Sequence, residues 1–266
     1  MTSIAIWSGA DQRGPASLRI AADSRISWGE SATWDHARKT FASAQTPDIF
    51  GYCGDVLFAS LLLSQFVSAL DSGAFRYSTG RARFGALREL AKTTWASYPS
   101  ARLSRPFSLV HGTRDGEGIS ASFLVNVLHC SSGQGWIEES IRPPEESSKL
   151  ILSLGSGRDA IAAAASKWEK STAAGTSRAV YSSFVQSIQS RKDPASGGSP
   201  QLVSLIRIGN GQTNGIIFEG GRYLGGIPIG EGDLGDDITW FNEFFEICDA
   251  TTMTRKPSAQ IHEKHP

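Results

Sequence analysis

The chain of 266 residues is long enough to bury one sizeable core, and 40% of it is hydrophobic. Lysine plus arginine and aspartate plus glutamate both total 26, so the formal net charge is zero. That balance gives no electrostatic reason to expect nucleic acid or an acidic membrane as a partner.

In chain order, strands are expected at about 2–9 and 17–24 around a turn at 9–15, with shorter ones near 39–44 and 48–53. Helical patterns follow at 55–71 and 82–98, the second with Leu87, Leu90, Ala91 and Trp95 at helical spacing. The stretch 56–70 is the most apolar. It is broken by Ser60, Ser64, Gln65 and Ser68 and too short to cross a bilayer, so it reads as a packed helix. More strands are expected at 107–111, 119–129, 135–139 and 151–154, then helices at 157–171 and 177–191, then strands at 201–208 and 214–219. The glycine-rich, acidic stretch 220–235 reads as a loop. Residues 237–248 read as a short helix with Trp240, Phe241, Phe244 and Phe245 on its apolar face. The last dozen residues are polar and expected to fray. The expected organisation is one domain over 1–249 and a polar tail over 250–266.

Three cysteines, Cys53, Cys130 and Cys248, stand far apart without metal spacing and suit a reducing compartment rather than a disulfide framework. The five histidines are scattered, with His262 and His265 in the tail, so no metal site or other cofactor is expected. The expected location is the cytoplasm.

The chain opens Met1-Thr2-Ser3-Ile4. Thr2 is small enough for ordinary methionine trimming, and no signal or pro-segment is expected ahead of it. A terminal threonine carries a hydroxyl nucleophile and a free amine with a pKa near ~7.7–8.0, so it can supply its own general base. Behind it come Asp23-Ser24-Arg25, then Arg38-Lys39-Thr40-Phe41, then Phe50-Gly51-Tyr52-Cys53-Gly54-Asp55. Far downstream stand Gly155-Ser156-Gly157 and Asp193-Pro194-Ala195-Ser196-Gly197-Gly198. In order and spacing these motifs resemble the proteasome β-subunit family, the threonine peptidases among N-terminal-nucleophile hydrolases. The likeness runs from Thr2 to about Ile208 and is nearest to the bacterial proteasome-like type. It departs from the family in a first hairpin several residues longer and in Pro194.

The resemblance implies an α+β fold, a four-layer αββα sandwich with two antiparallel sheets between helix layers. It implies catalytic roles for Thr2, Asp23, Lys39, Ser156, Asp193 and Ser196, with Asp23 holding Lys39 charged beside the nucleophile and Arg25 structural. Gly51 would offer its backbone N–H to the oxyanion, its missing side chain leaving room for substrate. Ile26, Ala37, Phe41, Ile49 and Cys53 would line the residue-binding pocket, and their apolar character implies cleavage after hydrophobic residues. The implied activity is peptide-bond hydrolysis on peptides or unfolded proteins inside a homo-oligomeric ring, with an unfolding ATPase as a possible partner by analogy. An amidase of the same class acting on a small amide, and an inactive scaffold subunit, are the alternatives.

Overall fold

The computed structural model describes residues 2–29, 32–99, 106–131, 135–230, 232, 234–235 and 237–261. The first half carries β1 (Ser3–Asp11), β2 (Gly14–Ala22), β3 (Ile26–Trp28), β4 (Ala32–Trp34), β5 (Thr40–Ala42), β6 (Asp48–Gly54), α1 (Val56–Asp71) and α2 (Gly80–Ala96). Next come β7 (Phe107–Asp115), β8 (Ser122–Ser131), β9 (Gly135–Ile141), β10 (Lys149–Gly155), α3 (Arg158–Trp168) and α4 (Ser177–Gln189). The chain ends in β11 (Gln201–Ile206), β12 (Gln212–Phe218), β13 (Gly221–Leu224), β14 (Ile227–Pro228), β15 (Trp240–Phe241) and β16 (Ile247–Cys248).

Two sheets stack face to face. One runs β10-β1-β2-β11-β12-β13-β14 with β15 and β16 attached; the other runs β5-β6-β7-β8-β9. Between them Ile4, Ile6, Leu18 and Ile20 of the first sheet meet Ile49, Val110, Val125 and Val127 of the second. On its outer face the second sheet packs against α1 and α2 through Phe50, Tyr52 and Leu109, which meet Leu62, Phe66 and Leu87. The first sheet's outer face packs Ala5, Trp7 and Ala21 against Ile161, Tyr181 and Phe184 of α3 and α4. The resulting order of layers is helices, sheet, sheet, helices, an α+β arrangement. Burial on both faces makes β1 and β2 read as near-continuous apolar runs and places their ends at the rim of the sandwich.

Local signals explain where α1 begins. Asp55 caps it, its carboxylate accepting from the Phe58 amide at 3.1 Å, and Phe58, Leu62, Leu63, Phe66 and Leu70 form the buried stripe. Leu57 and Leu61 remain 59% and 51% exposed on the opposite side.

The end of the expected domain differs from expectation. Residues 237–248 are not helical: β15 pairs in parallel with β12, Trp240 opposite Gly215, and β16 folds back on β15. Aromatics at 240, 241, 244 and 245 mimic a helical stripe, but Gly215 leaves a slot for the Trp240 ring, and pairing beside it wins over local propensity. Within the expected loop 220–235, β13 and β14 form a hairpin. Past β16, the chain returns through a bridge between Cys248 and Arg255, while residues 262–266 lie outside the described residues. The hairpin β3–β4 was not anticipated, and the first hairpin is tighter than the expected turn, its strands closing to Asp11 opposite Gly14.

Candidate active site

Asp23 leaves β2 at the sandwich rim and is wholly buried. Its Oδ1 accepts from Lys39 Nζ at 2.7 Å and from the Ser3 amide at 2.9 Å; its Oδ2 accepts from the amides of Arg25 (3.1 Å) and Gly197 (3.0 Å). Four donors thus share one carboxylate, two on each oxygen. Lys39, just ahead of β5 and equally buried, also donates to the Arg25 carbonyl at 2.5 Å. Burial pushes the Lys39 ammonium below its ordinary pKa, and the attraction of Asp23 opposes that shift. One carboxylate therefore ties the buried cation to the backbone next to Thr2.

A second polar line meets Thr2 from the other side. The Thr2 nitrogen donates to Ser156 Oγ at 3.2 Å, and Ser156 Oγ donates to Asp193 Oδ2 at 2.6 Å. Ser196 Oγ reaches the same Asp193 oxygen at 2.7 Å, and the Ser3 and Ser196 hydroxyls are 2.7 Å apart. With Ser196 donating to the carboxylate, Ser3 donates to Ser196. Ser156 follows β10, whose Gly155 pairs with Ser3. Gly155 has φ +87°, and a Cβ there would run into the Thr2 carbonyl, so the turn that delivers Ser156 needs glycine. Thus Thr2, Asp23, Lys39, Ser156, Asp193 and Ser196 converge at one end of the sandwich, with Thr2 wholly buried. Arg25 joins the cluster through its backbone only; its side chain is forked on Asp35 at 2.7 and 2.8 Å and holds the Pro194 carbonyl at 3.2 Å.

The Gly51 amide, expected to serve an oxyanion, is placed differently from that expectation. Gly51 lies mid-strand in β6, with Thr40 opposite on one side and Val110 on the other. The Tyr52 amide bonds the Lys39 carbonyl and the Asp55 amide bonds the Pro106 carbonyl. Alternation along the strand then turns the Gly51 amide into the ladder with β7, and the Gly54 amide toward the Lys39 side. The β5 ladder ends at the Thr40–Gly51 pair, so no strand covers Gly54 on that side. The space that Gly51 leaves is filled by Ile4 and Ile20, not by a cleft. Gly54 (φ +98°) lines a cavity of about 320 Å³ together with Cys53, Ser108, Gly155 and Ser156.

The expected pocket residues divide. Ile26, Ala37 and Phe41 line a second cavity, of about 300 Å³, with Tyr52, Val56 and Ser60. Cys53 belongs to the first cavity, and burial raises its thiol pKa. Ile49 faces the core between the sheets and lines neither.

Three contributors were missed in the sequence. Gln201, buried at the start of β11, accepts from the Lys39 amide at 2.9 Å. Its Nε2 lies within 3.0 Å of the Asp23 carbonyl and 2.6 Å of the Ala37 carbonyl, so one amide side chain fixes both loops of the ion pair. A glutamine opening a mainly apolar strand was the available signal. Ser3 and Arg38 are the others; Arg38 lines the second cavity.

Among the described residues no group of His, Cys, Asp and Glu is placed to hold a metal ion, and no helix is long and apolar enough to cross a membrane.

No protein-family model matches the chain, and no curated protein matches it significantly. Solved structures do. Anbu (ancestral beta-subunit) from Yersinia bercovieri aligns with a TM-score of 0.52 at 11% identity, over 77% of this chain and 82% of that one. The Anbu Gly-1 mutant from Hyphomicrobium sp. strain MC1 aligns at 0.50 and 14%, over 80% and 87%. Eukaryotic HslV from Trypanosoma brucei aligns at 0.48 and 17%, over 77% and 99%. The two Anbu likenesses carry the conclusion on architecture: this chain has the fold of proteasome β-subunit-like N-terminal-nucleophile hydrolases.

Proposed function

We propose that the protein is an N-terminal threonine peptidase acting on peptides or unfolded protein. The observation that carries this reading is that two separately anchored polar lines meet at the start of β1, Lys39–Asp23 at the Ser3 amide and Asp193–Ser156 at the Thr2 nitrogen. The reading requires removal of Met1, which turns the Thr2 nitrogen into a free amine.

In this mechanism Thr2 Oγ attacks the peptide carbonyl and its proton passes to the Thr2 amine. The Ser156 hydroxyl, oriented by Asp193, holds that amine, and the Lys39 charge disfavours its protonated form and so keeps it neutral and free to accept the proton. The Gly54 amide stabilises the tetrahedral oxyanion. Collapse breaks the C–N bond, the departing amine takes the proton, and an acyl ester remains on Thr2. Water then attacks the ester, its proton going to the Thr2 amine and on to the regenerated hydroxyl. Lys39 stays paired with Asp23 throughout. By the same fold-level analogy, copies of the chain assemble into a ring in the cytoplasm that covers Leu57 and Leu61, and an unfolding ATPase feeds it.

Intact mass spectrometry with and without an epoxyketone probe tests this. The expected result is a chain lacking Met1 that gains one adduct, mapped to Thr2 and lost in Thr2→Ala. Peptidase activity in a sample retaining Met1, or undiminished in Thr2→Ala, overturns it.

A further inference from the structure

The second cavity, lined by Ile26 next to the Arg25 carbonyl that holds Lys39 Nζ, is apolar along most of its wall, through Ile26, Ala37, Phe41 and Val56, but one cation lines it. That cation is Arg38, adjacent in the chain to Lys39. Its Nε is held by the Thr40 carbonyl at 3.2 Å, and its guanidinium lies 4.6 Å over the Phe41 ring. These contacts fix the plane of the group and use one of its five N–H donors. Among the described residues no carboxylate is bonded to Arg38, in contrast with Arg25, which is forked on Asp35. Only desolvation perturbs Arg38, lowering its pKa without any acid opposing. No acidic residue lines the cavity either; its other side chains with polar atoms are Trp34, Tyr52, Ser60 and Ser64. The side chain is exposed, so the charge stands at the mouth rather than the floor.

A pocket with an apolar wall, hydroxyls and one preset, acid-free guanidinium is matched by an aliphatic stem ending in a carboxylate. An arginine fork binds such an end bidentately, which neither an amide nor an alkyl group reproduces. An incoming lysine or arginine would meet like charge at the entrance. Resting on the peptidase reading above, we propose that this cavity selects acidic side chains, so that cleavage follows glutamate or aspartate rather than the apolar residues its wall alone implies.

Fluorogenic peptides identical except for Glu, Gln, Leu or Arg before the scissile bond test it, assayed on the assembled protein lacking Met1. A charge-assisted bond at a part-exposed site corresponds to about tenfold in kcat/KM for Glu over Gln. Arg38→Glu reverses the charge at the mouth and should swing the Glu-to-Arg ratio by about a hundredfold or more toward Arg. The wild-type panel stands without any variant, so misfolding of Arg38→Glu does not shelter the proposal. Cleavage with Leu or Gln equal to or better than Glu overturns the selectivity and leaves the peptidase reading standing. Absence of cleavage together with absence of epoxyketone capture at Thr2 overturns both.

Discussion

Replacing Asp23 by asparagine removes charge from a group that serves four donors: Lys39 Nζ and the amides of Ser3, Arg25 and Gly197. An asparagine offers one acceptor oxygen and one NH2, so whichever way it turns, two of the four donors face another donor. The buried Lys39 ammonium also loses its countercharge, the attraction that now offsets its desolvation. Breaking a buried pair from one side costs about 3–5 kcal/mol. At about 2–4 °C per kcal/mol for a chain near this size, the melting temperature falls by about 6–20 °C. Lys39→Met is the milder change, because three backbone amides still face Asp23. The double variant Asp23→Asn/Lys39→Met should be destabilised by at least about 1 kcal/mol less than the sum of the singles. Urea unfolding of the four proteins, followed by circular dichroism, reads all of this. An additive double variant, or an Asp23→Asn protein as stable as the parent, refutes the claim that Asp23 holds the site together.

Two further perturbations separate stability from the site. Asp48 is buried, which raises its carboxyl pKa, but the hydrogen bond and charge of His111 (2.7 Å) and the charge of Arg83 (2.6 Å) outweigh that and hold it at about 2. Against an unfolded value of 3.8, this stabilisation is fully present above about pH 4 and disappears as pH falls toward 2. It amounts to about 2 kcal/mol, so the fall in unfolding free energy across that window should be flatter by that amount in Asp48→Asn. Equal slopes in the two proteins refute it. Gly155→Ala adds a Cβ at positive φ against the Thr2 carbonyl. It should cost about 1–3 kcal/mol in thermal unfolding and slow epoxyketone capture at Thr2 at least tenfold, because the strain falls on the nucleophile itself; capture at the parental rate would show that the turn does not set the position of Thr2.

What could be read in the sequence was what depends on residue type and separation. Asp23 and Lys39 are sixteen residues apart and Ser156 and Asp193 thirty-seven, and each pair bonds directly. Hydrophobic period marked the elements, since β1, β2 and α1 show their burial in their patterns, while the layer order came only with the family resemblance. The failures came where a neighbour distant in sequence decides. Whether aromatics at 240–245 make a helix or a strand depends on the slot that Gly215 leaves in β12. The sequence points to Gly51, but Gly54 stands three residues further along the same strand, and an amide's direction alternates with each residue. Choosing between them requires knowing that β5 stops pairing at Thr40, a fact of the ladder. The same holds for Arg38. Its neighbour Lys39 turns into the core toward Asp23, and only that inward turn leaves the preceding guanidinium at the cavity mouth over Phe41. The buried charge paired with Asp23 and the charge that lines the cavity are thus successive residues of one segment, held apart by the anchoring of Lys39.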